Sequence, residues 1–104
     1  MIQVRFYTDQ EQLTGFRISG HAGAGAAGED IVCAAVSSAA YMTANTITDI
    51  LHIPAQVAVD DGFMELRLCE QVEASQAVLC GLRLHLQALE EEYPKRVHLM
   101  NTEV

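Results

Sequence analysis

Ala55-Gln56-Val57-Ala58-Val59-Asp60-Asp61-Gly62-Phe63-Met64-Glu65-Leu66-Arg67-Leu68 holds two strand-like runs, 55–59 and 63–68, on either side of an Asp-Gly pair. Asp-Gly between such runs signals a tight β-hairpin, because glycine accepts the positive φ that short hairpin turns need. Upstream, 30–51 repeats apolar residues at intervals of three and four: Val32, Val36, Ala39, Ala40, Thr43, Ile47, Ile50 and Leu51. That spacing predicts a helix, with Asp30 suited to cap its first turn and Pro54 to prevent its continuation. Downstream, Val78, Leu79, Leu82, Leu86, Leu89 and Tyr93 predict a second helix over 72–93, stopped by Pro94. A short strand is expected over 97–100.

At the other end, residues 2–8 alternate apolar and polar, the period of a half-buried strand. Residues 9–12 form a polar turn, and 13–19 a second strand whose alternation is broken at Gly15. The predicted order is β-β-α-β-β-α-β. Hairpin-joined strands give a mainly antiparallel sheet, with the two helices packed on one face, an α+β class of fold. The chain of 104 residues is read as one domain, 1–104.

Half of the residues are apolar and 19% are charged, a globular balance. The net charge of −8 speaks against direct nucleic-acid binding, which needs a basic face, and favours a basic or neutral partner. It also weighs against reading the chain as a small RNA-binding domain. Three cysteines, Cys33, Cys69 and Cys80, form no C-x-x-C pair, so neither a disulfide framework nor a thiolate zinc site is expected. Cys80 is expected in the core. No cofactor or metal is called for, His52, His85 and His98 being scattered over different elements. No single apolar run approaches the roughly 18 residues of a membrane span, and residues 1–9 lack the features of a signal peptide. A reduced, cytoplasmic protein without membrane contact is expected.

The stretch that carries chemistry is Gly20 to Ser37. Gly20, Gly23, Gly25 and Gly28 lie close together with mostly alanine between them, a composition that predicts a mobile loop. With Asp30 as the cap, Cys33 falls in the first helical turn, where the helix dipole favours the thiolate. Backbone N–H groups at that end are placed to hold an oxyanion. Ser37 follows one turn later on the same face. His21 stands at the other end of the loop, from which it can be brought to the sulfur. A cysteine and a histidine so arranged suit nucleophilic catalysis on an acyl group. Each also has an ordinary reading: Cys33 as a packed residue, His21 as solvated, Asp30 as a cap, and Ser37 bonded to a helix carbonyl. Gly23 to Gly28 also matches G-x-G-x-x-G, but the βαβ unit that gives that pattern meaning is absent.

Gly20-His21-Ala22-Gly23, a glycine-containing loop, and Asp30-Ile31-Val32-Cys33-Ala34-Ala35-Val36-Ser37 together resemble the signature of the ribosomal-processing cysteine protease family, Prp. Length and element order agree over most of the chain. The resemblance implies a small α+β homodimer that pairs largely through its helices. It implies a cysteine endopeptidase that removes the N-terminal extension of large-subunit ribosomal protein twenty-seven, cutting after an aromatic residue and ahead of a basic segment. The family's nucleophile falls on Cys33 and its histidine on His21, with Asp30 and Ser37 in supporting positions. The substrate loop falls on Gly20, Gly23, Gly25 and Gly28. Where the family often carries a large or polar residue after Gly-His-Ala-Gly, this chain has Ala24-Gly25-Ala26-Ala27, which bears on substrate preference. Glu65, Glu70, Glu73 and Glu90 to Glu92 make the surface acidic, which would steer a basic peptide toward it; such charge runs are ordinarily solvated faces that keep a protein soluble, and none of these glutamates is assigned a site role. The competing expectation is a non-catalytic, ribosome-associated module that holds a basic peptide in the same groove.

Overall fold

The computed structural model describes residues 1–21, 31–70 and 72–104. Strand β1 (Ile2–Asp9) turns into β2 (Gln12–Ser19). Helix α1 (Ile31–Asn45) runs on through a wider π turn, Thr46–Ile50. Strands β3 (Ala55–Asp60) and β4 (Phe63–Leu68) form the second hairpin. A single 3-10 turn, Glu73–Ser75, leads into α2 (Gln76–Glu92), and β5 (Val97–Glu103) ends the fold. This is the predicted β-β-α-β-β-α-β order in a five-stranded sheet, β3-β4-β2-β1-β5. All neighbours are antiparallel except β5, which runs parallel to β1. The last strand is longer than its sequence pattern suggested.

Register explains how the sheet acquires one apolar face. Val4, Ile18 and Met64 stand side by side across three strands, as do Phe6, Phe16 and Leu66. These residues are buried and cluster with Val32, Val36 and Ala40 of α1 and Leu79, Leu82 and Leu86 of α2. Both helices therefore cover the same side of the sheet, and the opposite side carries Gln3, Arg5, Arg17, Glu65 and Arg67. Removal of apolar surface from water along this interface is the main stabilising term, roughly 1.5–3 kcal/mol for each fully buried large aliphatic or aromatic side chain.

The inward stripe of α1 is narrower than its periodicity implied. Val32, Val36, Ala40, Thr43, Ala44 and Ile47 are buried, whereas Ile50 and Leu51 are exposed. The helix changes pitch before it reaches them. Thr43, Thr46 and Thr48 each donate their hydroxyl to the carbonyl four residues back. Such bonds compete with the helix ladder, and the helix there widens to π geometry. It closes with bonds from Leu51 N–H to the Thr46 carbonyl and from Ile53 N–H to the Ile47 carbonyl, while His52 takes φ 55°. By length and composition the continuous stretch Ile31–Ile50 could cross a membrane, contrary to the expectation from apolar runs. Alanine and threonine supply much of its apolar character. In this fold it is the core helix, its inward stripe committed to the sheet.

In α2 the buried stripe is Leu79, Leu82 and Leu86, and Cys80 is exposed, which corrects its expected place in the core. Residue 80 is rotated about 100° from Leu79 around the helix axis, and that rotation carries it out of the stripe.

Candidate active site

Three elements end at one place. Strand β2 delivers Gly20 and His21, α1 presents Cys33, and the β3–β4 hairpin brings its turn, Asp60 to Phe63. The meeting is fixed by strand pairing, because Ile18 lies opposite Met64 and Ser19 opposite Phe63. The exit of β2 is therefore held against the turn of the second hairpin. Gly20 N–H donates to the Gly62 carbonyl at 2.9 Å, which extends the ladder by one bond. Gly20 has φ +92°, and a Cβ there would run into the Met1 carbonyl oxygen, so only glycine fits this close crossing.

Between these elements lies a cavity of about 200 Å³. His21, Cys33 and Ser37 all line it, as does Gly20. Cys33 is half-buried, with Ser37 and Tyr41 following it at successive turns of α1, both exposed to the opening. Val36, Ala40, Ile2 and Ile18 provide apolar wall beneath them. His21 is exposed and lies against Gly62 of the facing turn. The expected companions Asp30, Gly23, Gly25 and Gly28 lie outside the described residues.

The structure adds groups that sequence reading had not placed here. Asp60 and Asp61 line the same cavity, and the Asp60 carboxylate accepts the Asp61 N–H at 2.8 Å. No lysine or arginine among the described residues lines it, so the mouth is acidic. The Asp-Gly turn was legible as a turn, but its arrival beside His21 depends on pairing between distant strands. Tyr41 had a usable signal, because Cys33, Ser37 and Tyr41 share one helical face. Cys69 and Cys80 are exposed and lie away from this cavity. No group of three His, Cys, Asp or Glu side chains among the described residues is arranged to hold a metal.

Chemically, the cavity brings a thiol and an imidazole to the edge of an acidic opening. The family model described as "Cysteine protease Prp" matches residues 1–98. The ribosomal processing cysteine protease Prp of Staphylococcus aureus (strain Mu50 / ATCC 700699) is 30% identical over 94 residues, covering 88% of this chain and 89% of its own. A crystal structure of the S. aureus protease with a covalently linked product peptide superposes with a TM-score of 0.90 at 29% identity, covering 98% of this chain and 100% of that one. The same protease with a substrate peptide gives a TM-score of 0.86 at 28% identity, with the same coverage. Matched along nearly its whole length and folded alike, the chain belongs to the Prp family of cysteine proteases.

Proposed function

We propose that this cysteine protease is an endopeptidase of ribosomal protein maturation that removes the N-terminal extension of large-subunit ribosomal protein twenty-seven. Cys33 is its nucleophile and His21 its general base. The observation that carries the reading is that these two side chains, from different elements, line one cavity. The S. aureus relative is complexed with a substrate peptide and with a covalently linked product peptide, which supports peptide as the substrate class.

The chemistry follows from the groups. His21 takes the thiol proton of Cys33, and the thiolate attacks the scissile carbonyl carbon. The tetrahedral oxyanion is held by backbone N–H groups near Cys33. The C–N bond breaks as His21 returns the proton to the departing amine, leaving a thioester on Cys33. Water, deprotonated by His21, then hydrolyses the thioester and restores the thiol. Ser37 and Asp30 act in support, and Asp60 and Asp61 make the mouth attractive to a basic segment of the substrate.

The active species is a homodimer in the cytoplasm. Support for the dimer comes from an apolar groove of about 740 Å³ between α1 and α2, lined by Ala35, Ala39, Met42, Val78 and Leu82 among others. Met42 there is 69% exposed.

The test is cleavage of a synthetic peptide spanning the precursor junction, followed by mass spectrometry. Wild type should give one cut, and Cys33→Ala and His21→Ala should each lose at least about a hundredfold in rate while keeping the native circular dichroism spectrum. Full activity of Cys33→Ala would overturn the assignment.

A further inference from the structure

We propose that the Asp61-Gly62 turn is the seat of His21, and that Gly62 is a positioning residue for the imidazole. The proposal rests on the reading of His21 as the general base. It starts from a space that glycine leaves empty. A methyl group built on Gly62 would lie 2.7 Å from His21 Nε2, 3.1 Å from Cε1 and 3.4 Å from Cδ2. The imidazole therefore occupies the volume that any other residue's Cβ would take.

The turn is the fixed partner in this contact. Gly62 has φ +66°, and its carbonyl accepts the Gly20 N–H at 2.9 Å. The Asp60 carboxylate accepts the Asp61 N–H at 2.8 Å on the other side of the turn. Asp60 pairs with Phe63, and Phe63 with Ser19, so the turn closes a ladder that, with the Gly20–Gly62 bond, reaches the residue just before His21. A side chain added at Gly62 meets a flexible ring on one side and a hydrogen-bonded backbone on the other. The ring gives way. His21 sits on an exposed segment at the end of a strand, where rotation about its side-chain bonds is the easy response. Gly62 thus sets where the imidazole stands in the cavity it shares with Cys33, Asp60 and Asp61.

Catalysis is sensitive to such placement, since an error near 1 Å can cost on the order of a hundredfold in rate. Gly62→Ala is the first variant. It also strains the backbone, because alanine resists positive φ. Gly62→Asn separates the two effects: asparagine tolerates the left-handed region yet carries a Cβ. We expect both variants to lower kcat/KM roughly tenfold to a hundredfold, with Gly62→Asn the more stable fold. In the double variant His21→Ala with Gly62→Asn, the loss should equal that of His21→Ala alone, because the second change acts through the first.

A readout independent of activity is the NMR spectrum of the His21 ring, whose Cε1–H resonance should move in Gly62→Asn because the added side chain displaces the imidazole. Where His21→Ala is impaired, wild-type activity in Gly62→Asn or losses that multiply in the double variant would overturn the proposal, and an unmoved ring resonance would overturn it in any case. If His21→Ala itself stays fully active, the catalytic reading fails. A displaced ring resonance in Gly62→Asn would still support the seat, and an unmoved one would overturn it.

Discussion

Gly15 breaks the alternation of β2 for a reason that concerns the neighbouring backbone. A Cβ on Gly15 would collide with the Leu66 carbonyl oxygen of β4, so the missing side chain lets the two strands close up. Opposite it across β1 lies Tyr7, whose ring supports the Arg67 guanidinium at 4.3 Å from its centroid. The Tyr7 hydroxyl donates to Glu65 Oε2 at 2.5 Å, and Arg67 reaches the same oxygen at 3.5 Å. The Tyr7 bond, with Arg67 adding to it, holds the Glu65 carboxyl below its ordinary 4.5. Burial, then the bond to Glu65, raises the Tyr7 phenol above 10.0. The carboxylate's contribution to stability is therefore present above about pH 4.5 and is lost as pH falls through its lower folded value. That of the neutral phenol is present below pH 10.0 and is lost as pH rises through its higher folded value. In urea unfolding, the stability advantage of wild type over Tyr7→Phe should shrink between pH 7 and pH 3. A gap unchanged with pH would show that the Tyr7–Glu65 bond does not depend on the ionised carboxylate.

At the scale of elements, the β1–β2 hairpin contains a bulge where Tyr7 pairs with Gly15 but Thr8 pairs with Leu13. Leu13 extends past the pairing with β4, and the Gln76 side chain at the start of α2 takes over. Leu13 N–H donates to Gln76 Oε1 at 2.8 Å, and Gln76 Nε2 donates to the Leu13 carbonyl at 2.6 Å. One amide replaces a strand neighbour and fastens α2 to β2. Gln76→Ala should cost about 1–3 kcal/mol in urea unfolding, since two backbone groups lose their partner. Gln76→Glu should also destabilise at neutral pH, because a carboxylate accepts the N–H but meets the Leu13 carbonyl with repulsion. A Gln76→Ala protein as stable as wild type would refute the clasp. These elements were legible in the sequence to different degrees. Local periods located both hairpins and both helices. The π turn was hidden, because the threonine back-bonds that accompany it leave the apolar spacing intact up to Ile47, and the bulge was hidden because it depends on a partner strand.

For the whole molecule, local pattern specified the elements but left their spatial order open. Nothing in the alternation of β5 shows that it pairs parallel to β1 at one edge while β3 forms the other. That order decides the site. His21 and Cys33 were legible as candidates because their residue types and spacing carry chemistry. Asp60, Asp61 and Gly62 were not, because only the β2–β4 pairing carries the second hairpin to His21. The same architecture leaves the α1–α2 groove open on the side away from the sheet, where the proposed dimer forms. Sedimentation should therefore give twice the chain mass of 11.3 kDa at micromolar concentration. Met42→Asp, a charge placed on that groove, should shift the protein toward monomer without loss of helix content. A wild-type monomer would contradict the dimer.

In the proposed mechanism Cys33 attacks the peptide carbonyl and carries the acyl group. An acid quench during turnover of the precursor peptide, with intact-mass analysis and peptide mapping of the protein, detects that acyl-enzyme. A transient adduct with the mass of the N-terminal product acyl group should appear, located on Cys33 and absent from Cys33→Ala. Turnover with the adduct on Cys69 or Cys80, or undiminished turnover by Cys33→Ala, would contradict the mechanism.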